Sequence, residues 1–590
     1  MKPVLPLAAR AAVLVAACAL APIAAAQQST GGARLSYGDP GAGDDAPAVS
    51  DGNTYGPARG GGDGRSTYAP PAGAQKKAHR RTRITPYLEI DQSVYDQVQP
   101  HAPAVTYTTV AAGADVSINS HRTTGTATIR LEHHFSETPS VRSSDTITGL
   151  ARTTTELVPR TLTFDFGGLA TQTSINAGGS TLVNPVERYG SIYRIWSLYG
   201  GPSLSTHAGI VGIKANYLAG YNEVDQIHSY VPPGGTQPVD LFGHSVTQQA
   251  QASAGVRPHE ILPFGVMLNG GWMREDTSNL DQRLIDEHVG VQITQPITRD
   301  AAIVGNVGWE RVQVAHRDAL RDSTGAPVVQ ANGQYVIDRS VPRKIAYDND
   351  GLAWDIGVVW RPSKRTYASA SVGQRYDSTT YYGQFLHAPN SRSMISVSVF
   401  DGIYGFGSSL TTTLTQVPTD FAAVRDPFSG NVGGCVQGTT GGTCLGGVLG
   451  SANSLAFRAH GVNAAYNVTV GRLGFNIGGG WFSRRFIGAE GTILASQNDT
   501  LDQTYYAGGG VSGPIDRKTR FYVNGFASLY RTSSSVYGDT ANWGANGSLV
   551  RQLSDRLVGT ASVEILGVNP QITPDEVEML GQVGLRYNFR

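Results

Sequence analysis

The chain ends with the stretch MLGQVGLRYNFR, residues 579–590. Every second residue from Met579 to Phe589 is apolar or glycine, whereas Gln582 and Arg586 have the opposite parity. Because side chains alternate between the two faces of a β-strand, this pattern predicts a strand with one apolar and one polar face. Its length suits the roughly 9–11 residues of a tilted strand that crosses a bilayer. An edge strand of a soluble β-sandwich would look similar, so the remainder of the chain decides between these folds.

The composition favours a membrane barrel. Charged residues make up 16% of the 590 residues, against roughly 25% in soluble globular proteins. The chain also holds 73 glycines and 26 tyrosines. Low charge with abundant glycine and tyrosine is typical of a transmembrane β-barrel, although a large secreted β-helix shares this composition.

The N-terminus predicts export. Lys2 and Arg10 precede or flank an apolar run, and Ala24–Ala26 forms an A-x-A cleavage site, so residues 1–26 are predicted to be a signal peptide. Lipoprotein processing at Cys18 is the alternative, because the preceding residues resemble a lipobox. No later run of 18 apolar residues occurs, which excludes a helical membrane protein. An exported chain with membrane-type strands is expected in the outer membrane, because only helices and closed barrels satisfy their backbone groups in lipid.

The remaining chain divides into a linker and a barrel. Residues 27–83 are rich in Gly, Ser and Pro and predict a disordered periplasmic linker. The basic cluster at 76–83 is either a solvated part of this linker or a contact for anionic lipid or cell-wall polymer. Residues 84–590 show alternating segments joined by short and long connections in turn, which predicts an antiparallel up-and-down transmembrane β-barrel. The repeat of about 23 residues gives roughly 20–22 strands, and the even number 22 places both termini on one side.

Alternation also predicts which charges line the lumen. An Arg or Lys side chain on the lipid face near the midplane costs roughly 2–4 kcal/mol, so charged strand residues are expected inside. Eight residues are assigned to the lumen in this way: Asp115, Arg130, Glu132, Asp355, Arg361, Arg551, Glu564 and Arg586. Trp354 and Trp360 lie on apolar faces and favour an interfacial aromatic belt over ordinary strand propensity.

Residues 406–453 break the strand pattern. Thr419–Arg425 is predicted to form a short helix. Cys435 and Cys444 are the two cysteines left after cleavage, and they are expected to form a disulfide in an oxidising compartment. Loops of this length are usually functional or disordered, and barrels of 22 strands are normally plugged. We therefore predict that 406–453 folds inward as a partial constriction. A cap on the outside is the alternative, and 318–350 is a second candidate.

Three stretches resemble a known family. They are ITPYLEIDQ at 84–92, the cysteine segment at 434–444 followed by FRAHG at 457–461, and GLRYNF at 584–589. Together they resemble the porin-type outer-membrane β-barrels of alphaproteobacteria. This resemblance implies an outer-membrane location and a barrel fold, but the family has no agreed substrate. Its members sometimes carry the label "preprotein translocase subunit YajC", which belongs to a short single-helix protein. No such helix follows the signal peptide, so we interpret that label as a misnomer.

The last aromatic residues imply an assembly signal. Tyr587 and Phe589 resemble the C-terminal signal that the barrel-assembly machinery reads, with the departure that Arg590 follows it. The other expected partners are outer-membrane lipid and lipopolysaccharide. With a mature net charge of about −2, nothing indicates a nucleic-acid partner. The oligomeric state is left open.

No catalytic or cofactor motif stands out. No Ser/His/Asp order, Walker loop, HExxH or Rossmann pattern occurs in a supporting context, so no catalytic site, metal or cofactor is predicted. Asp348 and Asp350 resemble part of a calcium loop, but the rest of that loop is missing and a polar turn is expected. The leading hypothesis is a channel for polar solutes or an export route for a surface polysaccharide. The alternatives are a structural or adhesive surface protein with a loop-closed lumen, an outer-membrane lipase and a plugless receptor.

Overall fold

The structure is a computed structural model of the 590-residue chain. It describes residues 81–138, 143–176, 179–181, 192–226, 242–330, 333–390, 392–421, 425, 428, 430–432, 435–438, 441–449, 453–533, 538–571 and 574–589. The predicted signal peptide and the predicted linker up to residue 80 lie outside these residues.

The described chain contains twenty-five strands and two α-helices. The strands are β1 Arg81–Gln99, β2 Ala102–Asn119, β3 Thr123–Ser136, β4 Ser144–Val158, β5 Leu162–Asn176, β6 Gly179–Thr181, β7 Ile192–Ala208, β8 Val211–Gln226, β9 His244–Val256, β10 Gly265–Thr277, β11 Gln282–Pro296, β12 Ala301–His316, β13 Lys344–Ser363, β14 Thr366–Arg375, β15 Ser378–Asn390, β16 Ser393–Tyr404, β17 Cys435–Gly438, β18 Gly441–Cys444, β19 Phe457–Val470, β20 Leu473–Phe486, β21 Leu501–Pro514, β22 Thr519–Thr532, β23 Thr540–Gln552, β24 Leu557–Pro570 and β25 Glu576–Asn588. The helices are α1 Phe406–Thr415 and α2 Gly446–Leu449. Short 3₁₀ turns occupy Asn279–Asp281 and Ile493–Gln497.

All strands except β6, β17 and β18 form one closed antiparallel barrel of 22 strands. Each barrel strand pairs with its neighbour in sequence. The last strand pairs with the first, so that Arg586 lies opposite Glu89 and Asn588 lies opposite Tyr87. Closure leaves no open sheet edge, as a spanning β-structure requires. The predicted fold class and strand number are confirmed.

The two ends of the barrel differ. The end that holds the start of β1 and the end of β25 has short connections, such as 209–210, 364–365 and 471–472. We call it the short-turn end. The opposite end, which we call the loop end, carries the long connections 317–343 and 405–456. Strand β1 begins at Arg81, within the predicted linker.

The two faces of the wall follow the predicted alternation. In β13, Leu352 and Ile356 are exposed by 71% and 52%, whereas Ala353 and Asp355 are 2% and 4% exposed. The exposed apolar parity matches hydrocarbon and the buried parity points inward. Among the described residues, no helix has the length and apolar character needed to cross a membrane.

One predicted strand and one predicted helix are wrong. Alternation in the sequence predicts one strand from Tyr367 to Tyr381, but these residues form the hairpin β14–β15, because Tyr376 and Asp377 turn the chain with φ values of 55° and 53°. Two successive positive φ values make a tight hairpin turn, which usually needs glycine or asparagine. The described part of the predicted helix Thr419–Arg425 is not helical, and the helix instead precedes it as α1.

Candidate functional site

The connection 405–456 enters the barrel, and we call its described residues the inward segment. It contacts inner-face residues of β3–β10, and Phe428 packs among residues of β1, β2, β24 and β25. A single segment can reach strands that far around a closed wall only from inside. The structure thus places this segment in the lumen rather than as a cap outside.

The start of α1 is held by a buried carboxylate of the wall. The Glu275 side chain accepts a hydrogen bond from the backbone N–H of Gly407 at 2.9 Å and another from Ser408 at 2.9 Å. These N–H groups have no partner within the helix, and the positive end of the helix dipole favours a carboxylate there. Gly407 also permits this close approach, because a Cβ at that position would lie 1.9 Å from the Ser245 hydroxyl.

Polar wall residues continue along the helix. The Asn222 side-chain amide donates to the Gly407 carbonyl oxygen at 3.2 Å. The Tyr199 hydroxyl donates to the Leu414 carbonyl oxygen at 3.1 Å, and the Arg152 guanidinium donates to the Val417 carbonyl oxygen. The first contact lies at the N-terminal end of α1, and the other two add polar partners for carbonyl groups at and just beyond its C-terminal end.

An apolar cluster joins the inward segment to the wall. Its members are Leu150, Leu169, Tyr193, Ile195, Tyr199, Leu218, Val224 and Phe242 outside the segment, and Phe406, Leu410, Leu414, Val417, Phe421, Val432, Val436, Leu445, Val448 and Leu449 within it. Burying one large aliphatic or aromatic side chain stabilises by roughly 1.5–3 kcal/mol. The segment is therefore a packed part of the fold rather than a loose loop.

Arg425 anchors the second half of the inward segment. Its guanidinium donates to the Thr148 hydroxyl at 2.5 Å, to the Thr128 hydroxyl at 3.0 Å and to the Gly430 carbonyl oxygen at 2.7 Å. Burial lowers the pKa of this guanidinium from its ordinary value, but arginine is effectively always protonated in proteins. Nearby, the Thr171 hydroxyl donates to the Val432 carbonyl oxygen at 3.2 Å.

A buried ion network lies beside this anchor on the inner face of β1 and β3. The Arg130 guanidinium is 2.6 Å from Glu89 and 3.2 Å from Asp91, and it also donates to Glu132. All four side chains are almost completely buried. Buried carboxylates at such distances need a shared cation, because isolated buried charges are expensive.

A second ion pair joins β25 to β2. The Arg586 guanidinium donates to Asp115 at 2.5 Å, and its centre lies 3.5 Å from the centroid of the Tyr87 ring. The Thr128 hydroxyl donates to the same aspartate at 2.8 Å. This pair stabilises the seam where the last strands meet the first.

Seven of the eight residues assigned to the lumen have the inward-facing parity. Four of them, Asp115, Arg130, Glu132 and Arg586, belong to the networks just described. The other three lie apart from them: Asp355, which accepts from the Asn306 amide at 3.0 Å; Glu564, which is buried; and Arg361, which lies over the Tyr367 ring.

The assignment of Arg551 is wrong. It shares its parity with Leu549 and Leu553, whose side chains are exposed on the outer face. Its guanidinium donates to the Thr519 hydroxyl at 3.2 Å and lies 3.8 Å from Asp516 in the adjoining turn. At the short-turn end a charge can face outward because the side chain leaves the hydrocarbon layer and reaches polar groups.

Several site residues were absent from the sequence-based assignment. Glu89 and Asp91 share the parity of Tyr87, opposite to the exposed Leu88 and Ile90, so strict alternation would have found them. Glu275 also has the inner-face parity, opposite to the exposed Leu268, but parity does not identify its partners in α1. Arg425 lies outside the strands, where parity does not apply.

The second predicted loop lies over the loop end. Asp281 binds Arg317 at 3.0 Å and Arg343 at 2.7 Å, and so holds both ends of the connection 317–343. Partial burial acts to raise the pKa of Asp281, but hydrogen bonds and charges of the two arginines outweigh it and keep the pKa below its usual range. The Ile493 N–H also donates to Asp318 at 2.8 Å.

The polar turn predicted at Asp348 and Asp350 is instead part of a strand. Asp348 and Asp350 lie in β13, where they accept hydrogen bonds from Gln313 and Trp309 of β12. The described residues contain no group of three or more His, Cys, Asp or Glu that could hold a metal ion.

The predicted disulfide and assembly signal have defined backbone positions. Cys435 and Cys444 are register partners in the hairpin β17–β18, while their side chains lie outside the described residues. The disulfide therefore stays a prediction. The Tyr587 and Phe589 side chains are exposed on the outer face and contact each other edge to face, with ring centroids 5.0 Å apart.

Comparison with known proteins adds only distant likenesses. No protein-family model matches the chain, and no curated protein matches it in sequence. The FrpB iron transporter of Neisseria meningitidis is similar with a TM-score of 0.42 and 10% identity, over 86% of this chain and 81% of FrpB. The ferric-catecholate import receptor Fiu of E. coli K12 is similar with a TM-score of 0.43 and 9% identity, over 85% of this chain and 81% of Fiu. The alcaligin outer-membrane receptor FauA of Bordetella pertussis is similar with a TM-score of 0.37 and 10% identity, over 87% of this chain and 77% of FauA. These likenesses are too weak to bear on what this chain binds, and the resemblance to the alphaproteobacterial porins stays a prediction.

Proposed function

We propose that the chain is an outer-membrane channel for polar solutes, partially obstructed by the inward segment. Its apolar outer face suits a lipid environment, and its inner face carries the polar and charged residues. The observation that carries the proposal is the asymmetry of the lumen. The inward segment packs against β24, β25 and β1–β10, whereas inner-face residues of β19–β23, such as Asn463 and Asn524, keep access to solvent. A wide barrel filled on one side leaves a path on the other.

Removal of residues 405–456 tests this proposal. Tyr404 and Phe457 are register partners, so a short Asn-Gly turn can join β16 directly to β19. Purified protein is inserted into planar bilayers and its single-channel conductance is measured. We expect measurable conductance from the full chain and a several-fold higher conductance from the variant, because the obstruction is gone.

A turn insertion provides the matched control. An epitope inserted between Gly471 and Arg472, in an exposed turn at the short-turn end, is expected to leave the conductance unchanged. If the full chain and the variant without residues 405–456 both migrate as folded barrels on detergent gels but neither conducts, the channel is contradicted. That outcome supports the alternative, a structural or adhesive surface protein with a closed lumen. The packing of 317–343 over the loop end is the observation that favours this alternative.

A further inference from the structure

The open side of the lumen has its own chemistry. Inner-face residues Asn463, Asn476, Tyr506, Asn524 and Asn546 of β19–β23 form what we call the amide strip. Asn476 is exposed and the others are partly exposed, whereas the inner-face residues Asn222, Asn269 and Asn306 are closed to solvent. The strip therefore faces the water-filled part of the lumen.

Side chains of the strip lie along the wall. The Tyr506 hydroxyl donates to Asn463 Oδ1 at 2.6 Å. A Cβ at Gly480 would lie 2.9 Å from this hydroxyl. The Tyr506 side chain therefore lies along the inner face of the wall, over Gly480, where the absence of a side chain leaves room for it. Further round, Asn524 Nδ2 donates to Asn546 Oδ1 at 3.1 Å. Mutual hydrogen bonds hold these groups in fixed orientations.

Each amide keeps binding capacity toward the lumen. A carboxamide has two N–H donors and an oxygen with two lone pairs, and one hydrogen bond to a neighbour uses only part of this set. An aromatic ring adds an apolar surface with a polar hydroxyl at its tip. Adjacent donors, acceptors and a ring are suited to ligands that present hydroxyl groups together with C–H surfaces.

The strip is also uncharged. Among the described inner-face residues of β19–β23, the ionised side chains are Arg484 and Asp502 at the loop end and Arg520 at the short-turn end. Arg484 and Asp502 are buried with their charges 3.8 Å apart. Between these two ends the path presents amides, hydroxyls, aromatic rings and glycines. A highly charged ligand would lose hydration here without gaining a counter-charge.

We infer that the amide strip guides a neutral polyhydroxylated chain, that is, an uncharged oligosaccharide or glycan, through the lumen. This inference rests on the proposed channel and names its substrate class. Sugar hydroxyls exchange hydrogen bonds with the amides, and the apolar faces of sugar rings pass over Tyr506. Selectivity in such a pore comes from the donors and acceptors that line it.

The test measures block of single-channel current in the full chain by a linear maltodextrin. Polyethylene glycol of equal hydrodynamic size and dextran sulfate oligomers serve as comparison solutes. We expect maltodextrin to interrupt the current at concentrations about tenfold lower than polyethylene glycol. Sugar hydroxyls donate hydrogen bonds to the amides, whereas the ether oxygens of polyethylene glycol can only accept them. The double variant Asn524→Leu/Asn546→Leu is expected to lose this difference while still conducting. Gln295→Leu, on the outer face at the short-turn end, is the matched control and is expected to retain it.

The outcomes separate this inference from the channel itself. Conductance with equal block by maltodextrin and polyethylene glycol, or stronger block by dextran sulfate, overturns the glycan path and leaves the channel standing. Failure to conduct, even without residues 405–456, overturns the channel. In that case calorimetric titration of detergent-solubilised protein with maltodextrin decides: saturable binding that the double variant lacks supports the strip as a glycan site, and its absence overturns the site.

Discussion

Replacement of Arg130 by leucine is expected to destabilise the barrel by about 3–5 kcal/mol, the usual cost of removing one partner from a buried ion pair. Glu89, Asp91 and Glu132 would remain at the inner wall without the cation that all three contact. The apolar side chain cannot replace these charge-assisted hydrogen bonds. Urea-induced unfolding from phospholipid vesicles, followed by tryptophan fluorescence, measures the loss.

Two further variants make this result interpretable. Arg130→Leu/Glu132→Gln removes one orphaned charge and is expected to recover part of the stability, as coupled neighbours do in a double-mutant cycle. Arg551→Leu removes an exposed arginine with an exposed partner and is expected to change stability little. Equal effects of Arg130→Leu and Arg551→Leu would show that the inner network does not hold the wall.

Leu410→Asp is expected to release the inward segment and raise the channel conductance several-fold while the barrel stays closed. Leu410 is fully buried between α1 and the wall. An aspartate there loses the apolar contact and buries a charge without a cation, and truncation of buried leucines alone costs about 2–5 kcal/mol. The barrel strands are paired independently of this helix, so the effect falls on the segment. Bilayer recordings measure the conductance, and heat-modifiable mobility on detergent gels reports the barrel.

Ser409→Asp is the matched control. Ser409 is adjacent to Leu410 and only partly buried, so an aspartate there keeps contact with water and is expected to leave the conductance near that of the unaltered chain. If both variants conduct alike, or if Leu410→Asp unfolds the barrel, then the segment is not a separately releasable obstruction.

Most of the fold could be predicted from the sequence alone, through the alternation of apolar and polar residues within strands. In stretches such as Leu352–Trp360, alternating residues identify the outer and inner faces of the strand, because lipid on one side and water on the other impose a strict period of two. The repeat of about 23 residues gave the strand number, and the choice of an even number gave the shared side of the termini. The rule that charged residues lie inside failed at Arg551, which has the outward parity but lies at a strand end, and the pattern missed the turn at Tyr376-Asp377, which lacks the usual glycine.

The candidate site was less predictable, because it depends on contacts between distant residues. Parity assigns a residue to the inner face but does not identify its neighbour around the wall. Glu275 meets Gly407 and Ser408 across more than 130 positions of sequence, and Arg425 meets Thr148 across 277. The break in strand pattern at 406–453 located the inward segment, but the packing that holds it depends on the closed barrel.

One pair of neighbouring substitutions tests directly whether the two faces of each strand meet lipid and water. Ile477 is 62% exposed on the outer face of β20, and Asn476 is the exposed inner-face residue beside it. Each is replaced by arginine, and the free energy of folding into phospholipid vesicles is measured. We expect Ile477→Arg to cost about 2–4 kcal/mol, as a charge near the bilayer midplane does, and Asn476→Arg to cost much less. Equal costs, or a larger cost at Asn476, would contradict the assignment of the outer face to lipid.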